Sequence, residues 1–132
     1  MAESRNVVAV REAYELARRA DHKTLRTRIL DDATWRPAKE GAWNPCRDAD
    51  QIVRTLLWRT HANRMRPAET IDLGDRVLVR LRGVRLSRLG ARGFWAPKLF
   101  QVVVLRDGKI ASMQDYPNRE TAFAAAGLSP GP

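Results

Sequence analysis

The chain has 132 residues, 44% of them hydrophobic, with 24 basic and 15 acidic side chains and a net charge of +9. That length suits one domain, residues 1–132, with a core of its own. The apolar share and four tryptophans exclude a disordered chain, and a single cysteine, Cys46, excludes an internal disulfide.

The opening MAESRNVVAV lacks the positive start and apolar core of a signal peptide. No apolar run reaches the ~18 residues of a membrane span. A cytoplasmic location away from membranes is the expectation. Only Lys23, Lys39, Lys98 and Lys109 are lysine, so the positive charge is mostly arginine. Dispersed arginines fit a GC-rich genome as well as a nucleic-acid surface, and they form no basic block.

Val7, Val10, Tyr14 and Ala17 recur at helical spacing, which predicts a first amphipathic helix. Asp21 predicts the cap of a second, short helix carrying Leu25 and Ile29. DDATWRP predicts a strand ended by Pro37, and AKEGAWNPC reads as turns carrying Trp43. From Asp48, the stripe Ala49, Ile52, Val53, Leu56 and Leu57 predicts a long helix that Pro67 stops. Trp58 lies beside that stripe, which favours packing.

The period then changes to two. Ile71 and Leu73 precede a Gly74-Asp75 turn, and Val77, Val79 and Leu81 alternate with Leu78, Arg80 and Arg82. Gly83 marks a bulge or a close approach. Residues 85–93 read as a mobile loop. FWAPKLFQVVVL then runs into Asp107-Gly108, a two-residue hairpin signal. Asn118 predicts the cap of a last helix, docked by Phe123 and closed by Gly127 with an apolar contact from Leu128. Helices followed by a meander of strands give an α+β fold: a strongly bent antiparallel sheet wrapped around the N-terminal helices.

A regular hairpin about Asp107-Gly108 would pair Val104 with Ala111, Val102 with Met113 and Phe100 with Asp115. Asp115 would then end an apolar face, where burial raises a carboxyl toward general acid or base use. One bulge would move every side chain of one strand to the opposite face. The plainer role for Asp115 is structural, pairing with Arg119 or accepting backbone N–H groups.

This order of elements resembles the SnoaL-like branch of the nuclear transport factor two-like superfamily. The likeness rests on LDDATW, CRDADQIVRTL and LRDGKIASMQDYPNRETAFAAAGL. It implies a cone with an internal apolar pocket and, often, a homodimer packed through the sheets. It also implies reactions such as polyketide cyclisation, isomerisation or dehydration without a cofactor, on a small apolar or polycyclic molecule. Residue by residue, Asp115 matches the late-strand acid of the cyclases. Tyr14, Trp35, Trp43, Phe100, Val102 and Met113 are the expected pocket residues, with Gln114 and Tyr116 joining if a bulge turns them inward. Arg47-Asp48 stand where many relatives carry glycine. A non-catalytic binding domain of the same fold is the alternative. Nucleic-acid binding through Arg80, Arg82, Arg85, Arg88 and Arg92 is the weaker third reading.

Trp95 is, like the other three tryptophans, large for so small a domain, and aromatics line ligand pockets as well as fill cores. His22 and His61 lack metal-ligand spacing, and Cys46 lacks a nucleophile's partners. No dinucleotide, Walker or GxSxG motif is present.

Overall fold

Serine and aspartate caps divide the helical half of the chain in a computed structural model, which describes residues 4–93 and 98–127. The expectations for Trp95 and Leu128 lie outside those residues. The Ser4 side chain accepts from the Val7 N–H and starts α1, Arg5–Arg18. Asp21 accepts from Thr24 and starts α2, His22–Thr27. This helix is shorter than predicted: Ile29 is already the first residue of the strand β1, Ile29–Arg36. Asp48 accepts from the Gln51 N–H and starts α3, Ala49–Ala62.

The helix α3 ends before Pro67. Asn63 caps it, and Pro67 sits inside the strand β2, Arg66–Asp72. The edge of a sheet tolerates a proline's missing N–H, and β2 is an edge strand. The strands β3, Arg76–Arg82, β4, Leu99–Arg106, and β5, Lys109–Tyr116, follow. The short helix α4, Arg119–Ala125, closes the described chain, with Asn118 accepting from Thr121 N–H at its start.

The five strands form one curved, unclosed sheet in the order β1-β5-β4-β3-β2. Every neighbouring pair is antiparallel except β1, which runs parallel to β5. The segment around Leu86–Leu89 is not the loose loop its composition suggests. It forms a 3-10 turn that buries Leu86, Leu89 and Ala91. Gly83 marks a close approach: a Cβ there would lie 2.6 Å from the Asn63 carbonyl oxygen. Asn63 and Val84 exchange hydrogen bonds across this contact, joining the end of α3 to the end of β3.

Asp107 and Gly108 both have positive φ and make the expected tight turn. Leu105 pairs with Ile110 as predicted, but an irregularity then follows. Ala111 is the extra residue of a bulge. Beyond it Val104 pairs with Ser112, Val103 with Met113, Val102 with Gln114, Gln101 with Asp115 and Phe100 with Tyr116. The predicted Val102–Met113 and Phe100–Asp115 pairs are therefore one residue out.

The sheet thus has two different faces. Its inner face carries Val77, Val79, Leu81, Val103, Leu105, Ile110 and Met113 into a core with the buried stripes of α1 and α3. Its outer face carries Leu78, Phe100 and Val102 against Ala122 and Phe123 of α4. No described helix is long and apolar enough to cross a membrane.

Candidate functional site

Among the described strand residues, the buried polar side chains are one cross-strand pair, Gln101 on β4 and Asp115 on β5. Asp115 is 0% exposed. A buried carboxylate is costly unless its oxygens are satisfied. Oδ1 accepts from Trp35 Nε1 at 2.8 Å and from Gln101 Nε2 at 2.9 Å. The Gln101 amide is oriented in turn by Tyr14, whose hydroxyl donates to Oε1 at 2.8 Å. The second oxygen, Oδ2, is buried without a partner among the described residues.

Each side chain has a local reason for its place. Tyr14 lies one turn from Val10 on the buried stripe of α1. Trp35 alternates inward with Ala33 along β1, and its backbone exchanges two hydrogen bonds with Cys46. That exchange ties the start of α3 to β1. Residue 59 falls three positions after Leu56 and seven after Ile52, so Arg59 continues the apolar stripe of α3 inward. It is 5% exposed, and its guanidinium lies 4.5 Å from the Trp43 ring centroid and 5.5 Å from that of Trp35. The two indoles meet edge to face at 5.3 Å. Arg59 Nη1 and Trp43 Nε1 are buried donors with no partner among the described residues.

The electrostatics follow from burial. Desolvation pushes the Asp115 carboxyl up to about 6, while hydrogen bonds from Gln101 and Trp35 and the charge of Arg59 hold it back. Burial, with the Asp115 charge, pushes the Tyr14 hydroxyl above its ordinary range, so it acts as a donor. Desolvation pulls Arg59 below its ordinary value against the opposing pull of Asp115. The result is a buried carboxyl with one anchored and one unpaired oxygen and a pKa raised by desolvation.

The structure brings Tyr14, Trp35, Trp43, Met113 and Asp115 into the inner core or against it. It separates Phe100 and Val102 from them, because the bulge sets these residues on the outer face under α4, and Tyr116 stays on that outer face because it alternates with Asp115 along β5. Gln114 also points away from the core, donating to the Pro37 carbonyl. Arg119 does not reach Asp115; it stacks on Phe123. Trp58 is 69% exposed, not packed. Burial raises the Cys46 thiol, which donates to Thr55. Among the described residues no three His, Cys, Asp or Glu side chains gather as a metal site requires.

Two clefts open around Trp43. One, of about 750 Å³, includes Thr34, Trp43, Cys46 and Gln114. The other, of about 540 Å³, includes Trp43, Trp58 and Arg59. Asp115 lines neither, so Trp43 and Arg59 separate it from the second cleft. Sequence reasoning missed Arg59 and Gln101. The signals were a cation on the apolar stripe of a helix and one amide in the run Phe100-Gln101-Val102-Val103.

No family model and no curated protein matches the sequence. Solved structures do match the fold. A nuclear transport factor two-like protein from Burkholderia xenovorans is 24% identical, with a TM-score of 0.62 over 96% of this chain and 98% of that one. A candidate polyketide cyclase from Sinorhizobium meliloti is 22% identical, with a TM-score of 0.58 over 81% and 92%. TerC, co-crystallised with polyporic acid, is 24% identical, with a TM-score of 0.60 over 93% and 98%. The chain has the nuclear transport factor two-like fold.

Proposed function

We propose that the protein binds a small apolar or polycyclic carbonyl compound and that Asp115 moves a proton on it. The observation that carries this reading is the split carboxylate. Oδ1 is held by Trp35 and Gln101, and Oδ2 is buried and unpaired. A buried structural acid more commonly has both oxygens satisfied. The raised pKa supports the same reading, since an acid near 6 takes and returns protons at neutral pH. Similar folds in a candidate polyketide cyclase and in TerC add support for a small-molecule ligand. Tyr14 and Gln101 would position the carboxylate, and Trp35, Trp43 and Met113 would keep water away. The reaction would be cyclisation, isomerisation or dehydration, with proton transfer beside the carbonyl.

The test needs no natural substrate. Polycyclic ketones incubated in D₂O with the protein should exchange the hydrogens next to the carbonyl faster than in buffer. Asp115→Asn should abolish the acceleration while retaining the fold. Equal exchange by both proteins would contradict the role of Asp115.

The complete burial of Asp115 favours a second reading, a ligand-binding domain without catalysis. It predicts ketone binding with no exchange above buffer. The cytoplasm suits the free, buried Cys46. A homodimer belongs to the same proposal, and light scattering that returns the monomer mass at micromolar concentration would remove it.

A further inference from the structure

Arginines are concentrated beside the cleft of about 540 Å³ between α3, the Trp43 segment and the Leu86–Leu89 turn. Arg54, Arg59, Arg85 and Arg88 line it, with no acidic side chain among the described lining residues. Elsewhere the arginines are often paired, as Arg26 is with Asp31 and Asp50, and Arg80 with Glu69. No lining carboxylate offsets this charge, although Asp115 acts on Arg59 from the core, and the net positive field attracts anions and concentrates them.

Its inner end is more specific than its rim. Arg59 is 5% exposed, and Nη1 donates to nothing among the described residues. Trp43 Nε1 is likewise buried and unpaired. Each unsatisfied buried donor carries a desolvation cost, which an acceptor in the cleft would offset. A carboxylate offers two oxygens and suits a guanidinium and a second N–H donor. Trp58 stands on the same cleft, 69% exposed, and presents an apolar face that the fold does not use. Trp43 gives a second aromatic wall, already stacked on Arg59.

We propose that this cleft binds a planar aromatic carboxylate, its acid group held by Arg59 and Trp43 and its ring against the tryptophans. The proposal deepens the reading of the protein as a small-molecule binder and rests on it. Arg54 and Arg88 sit exposed at the rim and draw the anion in. Arg85 is fixed by donation to the Ala62 carbonyl at 2.8 Å. The size of the cleft is that of a small-ligand site. A nucleic-acid strand would instead be met by an exposed row of cations.

The test is a titration of the whole chain with 2-naphthoate, its neutral isostere 2-naphthamide, and a single-stranded oligonucleotide at low salt. Indole N–H resonances and tryptophan fluorescence report binding. We expect submillimolar binding of 2-naphthoate, a downfield shift of the Trp43 indole N–H, and at least tenfold weaker binding of 2-naphthamide. Trp58→Ala and the double variant Arg54→Ala/Arg88→Ala change only exposed positions. Each should weaken 2-naphthoate about threefold to tenfold. Arg59→Gln should abolish binding, and the exposed variants keep the test sound if that buried change unfolds the chain. Asp115→Asn should bind 2-naphthoate at least as well as the wild type. Loss of proton exchange and loss of anion affinity thus report on separate readings.

Equal affinity for 2-naphthamide would overturn the anion site while leaving small-molecule binding intact. Absent 2-naphthoate binding, or binding unchanged in every arginine variant, would also overturn it. So would an oligonucleotide that displaces 2-naphthoate and loses affinity with the same arginines.

Discussion

The two faces of the sheet are built from the same strands and treat polar groups in opposite ways. Outside, Leu78, Phe100 and Val102 meet Ala122 and Phe123, an apolar seam covered by α4. Inside, a larger apolar core gives way at Gln101, Asp115, Tyr14 and Arg59 to a buried polar cluster. The outer seam is what stability alone requires. The inner cluster costs stability, because Asp115 Oδ2, Arg59 Nη1 and Trp43 Nε1 give up hydration without recovering a partner among the described residues. Thr60 Oγ1 is buried and unpaired as well, and the costs at Asp115, Arg59 and Trp43 are what the proposed ligand would offset.

Substitutions can break that contrast. The largest effect is expected outside. Phe123→Ala removes the side chain that docks α4 and should cost about 3 kcal/mol, read by urea unfolding. It should leave the titration of Asp115 unchanged. Inside, Asp115→Asn should do the reverse and stabilise. The folded carboxyl is raised from 3.8 to about 6, so its ionised form is penalised in the native state. Above pH 6 that penalty is present in full. It fades as pH falls through 6 and is gone below about 4, where both folded and unfolded carboxyls are protonated. Asp115→Asn should therefore gain about 2–3 kcal/mol over the wild type at pH 8 and nothing near pH 4. A loss of stability at pH 8 would place Asp115 with the structural acids.

Gln101→Leu is a smaller and more local change. It removes one donor to Asp115 Oδ1 and the acceptor of Tyr14. The Asp115 pKa should rise further, seen as a shift of the proton-exchange profile to higher pH. Trp58→Gln should be nearly silent in unfolding, within about 0.5 kcal/mol, because the indole is exposed. A clear loss there would mean that the fold uses this side chain after all.

Much of the fold could be read from local chemistry. Asp21 and Asn118 are the expected caps, and Ser4 and Asp48, not singled out as caps, act in the same way because a short side-chain acceptor can reach a free N–H two or three residues on. Asp107-Gly108 makes its turn because both residues tolerate positive φ. Non-local features were harder to read. The Ala111 bulge has no compositional mark, yet it exchanges Phe100 and Val102 for Gln101 and Val103 beside Asp115. Asp115 itself still faces inward, since it shares the Met113 side of β5 in either register. Parallel pairing of β1 with β5 joins segments some 80 residues apart, as the Trp35–Asp115 bond does, and no local pattern encodes it. Arg59 was hidden for a different reason. A cation on an apolar stripe reads as the end of the stripe, and only the stacked Trp35 and Trp43 rings reveal it as part of the core.

The central claim is that Asp115 is a buried acid held ready to move a proton. It is tested most directly by the pH titration of its carboxyl carbon in selectively labelled protein, followed by carbon NMR between pH 3 and 9. The account predicts a midpoint near 6 that moves upward in Gln101→Leu. A midpoint at or below the ordinary 3.8 would show a fully satisfied structural carboxylate and would contradict it.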